Sequence, residues 1–447
     1  MKENLSQQLV INSNDNLMVI ASAGCGKTYC IVNKIKRLSS IPPENILVIS
    51  FTNETVNDLK KKLPSDVHVM TFHKLAMYIL KDKNYDLSSD DLLDYIIDDF
   101  FTNKITKKEI SYLKFYFFDF SYNNILKSNV FLKYKNTIKT FINLLKTNNY
   151  ENEFLNKVYK TEKDKFLISI ILKINYLYKK EKTDANTIDL DDLIVEATIK
   201  ANKSKFKYQY IFADEFQDTS QIRFNLIYEI FKNSNSTINF FGDDFQSIYS
   251  FSGCNLQIML DIKSKIKDIK IVELNINYRS DNHLIKTAND FIMKNDKQLK
   301  KTIKSDLTIK DSINYIYYNN YKKCILNYLK KFNKEDIMIL GRYKSDFSFI
   351  DNSYRKLTIH ESKGLEAKYV FILNFKNEEY GFPSKVKDEK IIHYFNNIDS
   401  YPYSEERRIF YVAITRAKEK VFLFIPKKNK SIFINEFKLI DKKNKKN

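Results

Sequence analysis

The sequence predicts an α/β chain of two lobes, each built on a parallel sheet, with an all-helical insertion in the first. Three observations carry this prediction. Short β-branched and aromatic runs alternate with helix-period segments on both sides of a long central stretch. That stretch, Asp82 to Thr187, contains neither glycine nor proline. A glycine-bearing loop joins the first strand pattern to the first helix pattern, as at the opening of a parallel α/β unit.

Taken in order, Leu17 to Ser22, Ile46 to Phe51 and Val67 to Thr71 read as buried strands separated by helical patterns through about residue 80. The central stretch is rich in Tyr, Phe, Lys, Asn and Leu. Its aromatic groups, Phe115 to Phe120 and Phe166 to Tyr178, are expected to form its packed core. Strand patterns return at Tyr208 to Ala213, Thr237 to Phe241, Ile271 to Leu274, Ile337 to Leu340, Tyr369 to Leu373 and Val421 to Phe424. The expected division is residues 1–82 plus 187–268 for the first lobe, 83–186 for the insertion and 269–447 for the second lobe. The basic stretch from Lys442 to Asn447 is expected to fray.

Composition makes certain residues readable. Only seven glycines occur in 447 residues, against about thirty at the usual ~7 %. Five of them (Gly24, Gly26, Gly242, Gly253, Gly364) fall in the segments discussed below. The formal charge of +19 and pI near 9.3 suit a polyanionic partner. Lysine is nevertheless the default polar residue, with 66 Lys against eight Arg and no Trp, so charge alone does not decide for nucleic acid. An arginine kept in such a chain marks a need for a flat, bidentate donor; Arg279, Arg407, Arg408 and Arg416 lie in two short stretches. The four cysteines show neither metal-ligand spacing with the histidines nor a disulfide framework, which suits a reduced compartment. With no apolar run near ~18 residues and no charged-then-apolar leader, the expected location is intracellular, cytoplasmic or nucleoid-associated, without a membrane partner.

The segment Ala21-Ser22-Ala23-Gly24-Cys25-Gly26-Lys27-Thr28 sits between strand and helix, where backbone N–H groups can wrap phosphates, Lys27 can reach the terminal phosphates and Thr28 can hold magnesium. After the strand ending at Ala213 comes Asp214-Glu215-Phe216-Gln217-Asp218-Thr219. Adjacent acids at the end of a buried strand need a cation. Asp214 can share the magnesium with Thr28, Glu215 can orient and deprotonate an attacking water, and Gln217 can sense the terminal phosphate.

DEFQDT resembles the Walker B box of the UvrD, Rep and PcrA helicases of superfamily 1, and further stretches match in the same order. Gln7 looks like the adenine-reading glutamine, with Gln8 an alternative. SFTNET (Ser50 to Thr55) and TFH (Thr71 to His73) resemble loops that touch single-stranded DNA, and DLDDLI (Asp189 to Ile194) a helix preceding the carboxylate strand. GDDFQSIYSFSG (Gly242 to Gly253) looks like the motif joining the two sites, with Gln246 toward the terminal phosphate and Tyr249 and Phe251 stacking on bases. LNINYRS (Leu274 to Ser280), TIHESKGLE (Thr358 to Glu366) and EERRIFYVAITRAK (Glu405 to Lys418) complete the set.

The resemblance implies two RecA-like P-loop NTPase lobes clamping ATP and Mg²⁺. Catalysis is expected from Lys27, Asp214, Glu215, Gln246, Arg279 and Arg416, the two arginines coming from the second lobe. Nucleotide contacts are expected from Gln7, the loop Ala21 to Thr28, Tyr29, Gln217, Tyr278 and Glu366, with Thr28 and Asp214 on the metal. Single-stranded DNA and duplex junctions would meet Phe51, Thr52, Asn53, His73, Tyr249, Phe251, Thr358 and His360. Arg407 and Arg408 are expected to be structural, beside Glu405 and Glu406.

Some positions depart from the family. Ala21 replaces a glycine, Tyr29 an arginine that lies against adenine, and Ser252 an arginine before Gly253. Between Asn289 and Thr358 only 68 residues intervene, where larger members place a 2B domain, so none is expected here, nor is a nuclease domain after the last motif. The implied activity is an ATP-dependent 3′ to 5′ DNA helicase or translocase. The alternatives are a strand-stimulated ATPase that does not unwind, and a nucleotide-gated binding module; RNA is an alternative substrate.

Overall fold

In the computed structural model, residues 3–83, 85–116, 129–150, 161–386, 389–395 and 401–446 are described. Thirteen strands occur among them: β1 Leu17–Ala21, β2 Ile46–Ser50, β3 His68–Thr71, β4 Asp86–Leu87, β5 Thr187–Ile188, β6 Tyr210–Ala213, β7 Thr237–Gly242, β8 Lys270–Leu274, β9 Ile313–Tyr318, β10 Ile337–Gly341, β11 Lys356–Thr358, β12 Ala367–Ile372 and β13 Ala417–Pro426. Runs such as Ile46–Ser50 and Ile337–Gly341 are buried at every position. Helices therefore cover both faces of each sheet, as parallel strands require.

The first sheet has the order β3-β2-β6-β7-β1-β8 and the second β11-β10-β12-β13-β9, all pairs parallel. Parallel pairing sends the loops after β1, β2, β3, β6 and β7 to one edge, where open α/β sheets bind ligands. The α/β expectation and its two parallel sheets hold.

Several particulars differ from expectation. Lys270–Leu274 pairs in register with Leu17–Ala21, so the first sheet extends past the boundary at residue 268 and the passage between sheets begins after Leu274. Strand β9 went unread because its Asn-Tyr-Ile-Tyr-Tyr run lies at the sheet edge, half-buried at most positions, and lacks the apolar run of a central strand. The C-terminal stretch does not fray among its described residues: a helix spans Ile432–Lys446, held where Asn444 Nδ2 donates to Asp290 Oδ2 at 2.9 Å.

The insertion is helical, with helices at Leu92–Asp99, Lys107–Tyr116, Asn129–Thr147 and Glu162–Asp184 above the short pair β4 and β5. Its core gathers Ile97, Phe101, Phe131, Phe141, Ile171 and Ile174. Phe115 is not part of it, being 70 % exposed, and residues 117–120 of that aromatic group lie outside the described residues.

The same core receives side chains from the other lobe. Between β12 and the helix Ser404–Ile414, the turn Lys390–Tyr394 places Ile391, Ile392 and Phe395 in the insertion core. Phe395 meets Phe141 edge-on at 4.6 Å, Tyr394 Oη donates to Asp164 Oδ2 at 2.8 Å, and Lys133 pairs with Glu389 at 3.1 Å. This strap ties the second lobe to the insertion independently of the interface between the sheets.

Phe141→Ala and Phe395→Ala are each expected to destabilise by about 3–5 kcal/mol. The double variant should cost less than their sum, because the two rings share one contact; urea unfolding of the four proteins measures the coupling.

Candidate nucleotide cleft and nucleic-acid face

Strand β1 stops at Ala21 and the next helix, Lys27–Arg37, begins at a residue that contributes no side-chain cap, Gly26 in the left-handed region. The first helical N–H groups are thus left for an anion. Gly24 and Gly26 have φ of +75° and +86°. A Cβ on Gly24 would stand 2.7 Å from the Arg279 Cβ, and one on Gly26 2.9 Å from the Gln7 Nε2, so side chains are excluded by space as well as by backbone conformation. Ala21, Ser22, Ala23 and Cys25 are buried walls of this cradle, and burial pushes the Cys25 thiol up to about 12.

The cradle opens into a cleft of about 900 Å³ that is lined from both lobes, by Ser22 to Thr28, Asp214, Glu215, Gln246, Tyr278, Arg279, Glu366 and Arg416 among others. Lys27 Nζ lies 2.6 Å from Glu215 Oε1. Burial would lower the Lys27 pKa, but Glu215 and Asp214 outweigh it and hold the ammonium firmly charged. Burial also opposes ionisation of Glu215, yet Lys27 and Lys363 bring it down to about 2. For Asp214 burial prevails over Lys27, and the carboxyl is raised to about 6. Glu215 also has a φ of 51°, a strained conformation for a residue with a side chain, of a kind concentrated at functional sites. Thr28 and Asp214 both line the cleft, and hydroxyl plus carboxylate is an oxygen donor set suited to magnesium.

The opposite wall is built around Arg416, 1 % exposed, whose Nη2 donates to Gln246 Oε1 at 3.0 Å and whose Nε donates to Val412 O at 3.0 Å. Burial and the neighbouring Arg279 lower its pKa to about 9. Gln246 in turn donates to Asp243 Oδ2 at 2.7 Å, and Asp243 pairs with Lys301. Arg279 Nε donates to Glu366 Oε2 at 2.7 Å. Its backbone lies in the passage between the two sheets, and its Nη1 also donates to the Thr415 carbonyl at 3.4 Å. The Asn275–Ser280 segment crosses the phosphate loop, with Tyr278 N donating to Gly24 O at 2.9 Å and Asn277 Nδ2 to Ala23 O at 2.5 Å.

Gln7 is buried and its Oε1 accepts from Tyr278 Oη at 3.4 Å, beside Gly26. Gln8 turns away, its Nε2 donating to Glu3 O. Tyr29 is partly exposed at 37 %. Gln217 is not brought to the cleft: fully buried, it donates to Glu215 Oε2 at 2.5 Å and accepts from Asp243 N at 2.9 Å. Its place is to join the ends of β6 and β7 rather than to touch a phosphate directly.

On the second face, Phe51 and Thr52 line the same cleft, while Asn53 starts the helix that Thr52 caps. Tyr249, Phe251 and His360 form one aromatic group across the lobes, with centroids 5.7–6.1 Å apart, and Tyr249 Oη donates to His360 O at 2.9 Å. Phe251 is 55 % exposed, an open ring available for stacking. Thr358 accepts from Glu361 N and donates to its carboxylate, so its hydroxyl closes a local turn. Burial lowers the pKa of both His73 and His360 to about 4, so each ring is neutral at pH 7.

Arg407 and Arg408 are structural, but through other partners than Glu405 and Glu406. Arg407 forms a bidentate pair with Glu436 at 2.8 Å, Arg408 Nε donates to Ser247 O at 2.6 Å, and Glu406 pairs with Arg342 at 2.9 Å. Sequence reasoning missed Lys363 and Asp218, which pair across the lobes at 2.5 Å with side chains 7 % and 3 % exposed. Lys363 also donates to Gln246 O at 2.7 Å. Its position before Gly364 in a quoted motif was a signal, masked by the abundance of lysine.

Lys363→Met should leave Asp218 buried without its cation and cost about 3–5 kcal/mol, read as a lowered urea midpoint relative to the parent chain.

The UvrD/REP helicase N-terminal domain matches residues 3–267 and the UvrD-like helicase C-terminal domain residues 355–428. The ATP-dependent DNA helicase Rep of Buchnera aphidicola (subsp. Acyrthosiphon pisum) is 33 % identical over 77 % of this chain and 55 % of its own length. DNA helicase IV of Escherichia coli is 25 % identical over 97 % of this chain and 69 % of its own length. ATP-dependent DNA helicase PcrA of Staphylococcus epidermidis is 25 % identical over 67 % and 41 %. The chain thus spans little more than half of the Rep relative. No helix among the described residues is long and apolar enough to cross a membrane. With its two domain matches in chain order and the phosphate cradle, carboxylates and arginines converging on one cleft, the chain belongs to the UvrD/REP helicase family.

Proposed function

We propose that this chain is an ATP-dependent motor on single-stranded DNA that couples hydrolysis to strand separation, with 3′ to 5′ polarity taken from the family. The observation that carries the reading is the convergence of Lys27, Thr28, Asp214, Glu215, Gln246, Arg279 and Arg416 on one cleft between two parallel sheets.

The residues divide the work as follows. Gln7, Tyr29 and Tyr278 receive the base, and the N–H groups at Gly24 to Thr28 hold the phosphates. Thr28 and Asp214 would hold magnesium, which would supply charge neutralisation on the phosphate oxygens. Lys27 leaves Glu215 for the terminal phosphate, which frees the Glu215 carboxylate, still under the influence of Lys363, to accept a proton from water. Arg279 and Arg416 approach from the other wall, a contribution worth ~10³–10⁵ in rate in this chemistry. Gln246 links Arg416 to Asp243, and the same loop continues to Tyr249 and Phe251. Movement of Arg416 toward the nucleotide is thereby passed to rings that stack on bases, each worth ~1–3 kcal/mol.

A second reading, a translocase that does not itself unwind, is favoured by one observation. Residues between the helix Asn282–Ile292 and Thr358 supply β9, the helix Tyr321–Leu329, β10 and β11 of the second lobe, which leaves no stretch for an inserted 2B domain.

ATPase assays with single-stranded DNA, single-stranded RNA and no nucleic acid test the motor; equal turnover in all three would sink it. A forked duplex with a 3′ tail separates unwinding from translocation. Glu215→Gln should keep nucleotide binding while losing ~10²–10⁴ in turnover, and full activity in that variant would remove Glu215 as the base.

A further inference from the structure

Arginine is scarce in this chain, and seven of the eight have visible protein acceptors. Arg37 reaches Asn12, Arg279 Glu366, Arg342 Glu406, Arg355 the Glu366 carbonyl, Arg407 Glu436, Arg408 the Ser247 carbonyl and Arg416 Gln246. Arg223 is the exception among the described residues, with neither a carboxylate within ion-pair distance nor a hydrogen-bond acceptor. It stands in the first turn of the helix Gln221–Ser234 and lines the inter-lobe cleft with Phe51, Thr52, Tyr249, Ser252 and Cys254. Its guanidinium lies 4.9 Å from the Phe51 centroid and 5.9 Å from that of Phe72, and those rings brace each other edge-on at 5.5 Å.

A guanidinium in cation–π contact with an aromatic ring is held in place while its N–H groups stay available to donate. Half-buried and without a protein acceptor, such a fork is matched by a bidentate anion. The family resemblance does not single out this position, and the nucleotide cradle lies on other residues.

We propose that Arg223, seated on Phe51, is a phosphodiester contact that positions single-stranded nucleic acid on the first lobe. This rests on the single-strand reading above and adds to it a specific anchor.

The test is binding of a fluorescein-labelled oligothymidylate to the full chain across a salt series, for the parent, Arg223→Met and Arg223→Lys. The parent should bind with steep salt dependence. Arg223→Met should weaken binding about five- to tenfold at low salt, and its log-log salt slope should be shallower by ~0.7, one phosphate contact on a single strand. Arg223→Lys should restore the slope but only part of the affinity, since an ammonium offers no fork. Affinity lost with an unchanged slope would make Arg223 a packing residue under Phe51 and overturn the assignment, as would a Met variant identical to the parent. Absence of salt-dependent binding by the parent would instead overturn the single-strand reading itself. Nucleotide binding at the Lys27 cradle serves as the folding control and should not change.

Discussion

Charge buried between the two sheets has to be paired, and the rest of the structure depends on how that pairing crosses the cleft. Lys27 sits on Glu215 within the first lobe, whereas Lys363 reaches over to Asp218, and Lys301 sits against Asp243 and Asp244 with side chains at most 1 % exposed. A charge removed from water at such depth is tolerable only with a well-placed partner. These pairs fix the approach of the lobes while leaving an open cleft between the phosphate loop and Arg416.

The same pairs make the approach of the lobes sensitive to what enters the cleft. Gln246 is shared: its side chain holds Asp243 and receives Arg416, and its carbonyl receives Lys363. An anion that drew Lys27, Arg279 or Arg416 away from their present partners would redistribute this network, and Tyr249 lies three residues further along the loop. The cleft wall at Arg416 and the aromatic group of Tyr249, Phe251 and His360 are therefore joined through one short segment at the end of β7. The strap carrying Phe395 adds a second mechanical link, so a movement of the second lobe is felt in the helical insertion through packing rather than through charge.

Much of this was legible from residues alone, and for identifiable reasons. A chain that has discarded most of its glycines and arginines keeps them where backbone conformation or a planar fork is needed, which made Gly24, Gly26, Arg279 and Arg416 conspicuous. Lys363 and Lys301 were invisible by the same logic, as two lysines among 66. Gln217 was read as a phosphate sensor from its neighbours Asp214 and Glu215, but a 3-10 turn at Phe216–Asp218 directs it inward to Asp243. Phe115 was read as core from its company of aromatics, although which face of the helix Lys107–Tyr116 meets its neighbours is set by the other helices.

The sequence by itself determined the α/β class, the phosphate cradle, the carboxylate pair and the order of the motifs, because each depends on residues adjacent in the chain. Only the tertiary structure decided the strand order that places β8 in the first sheet, the turn of Arg279 across the phosphate loop, the partners of Arg407 and Glu406, the unclaimed fork of Arg223 and the docking of Phe395. Those depend on which side chains meet across long separations, and burial there forces each polar group to find a partner that local sequence does not name.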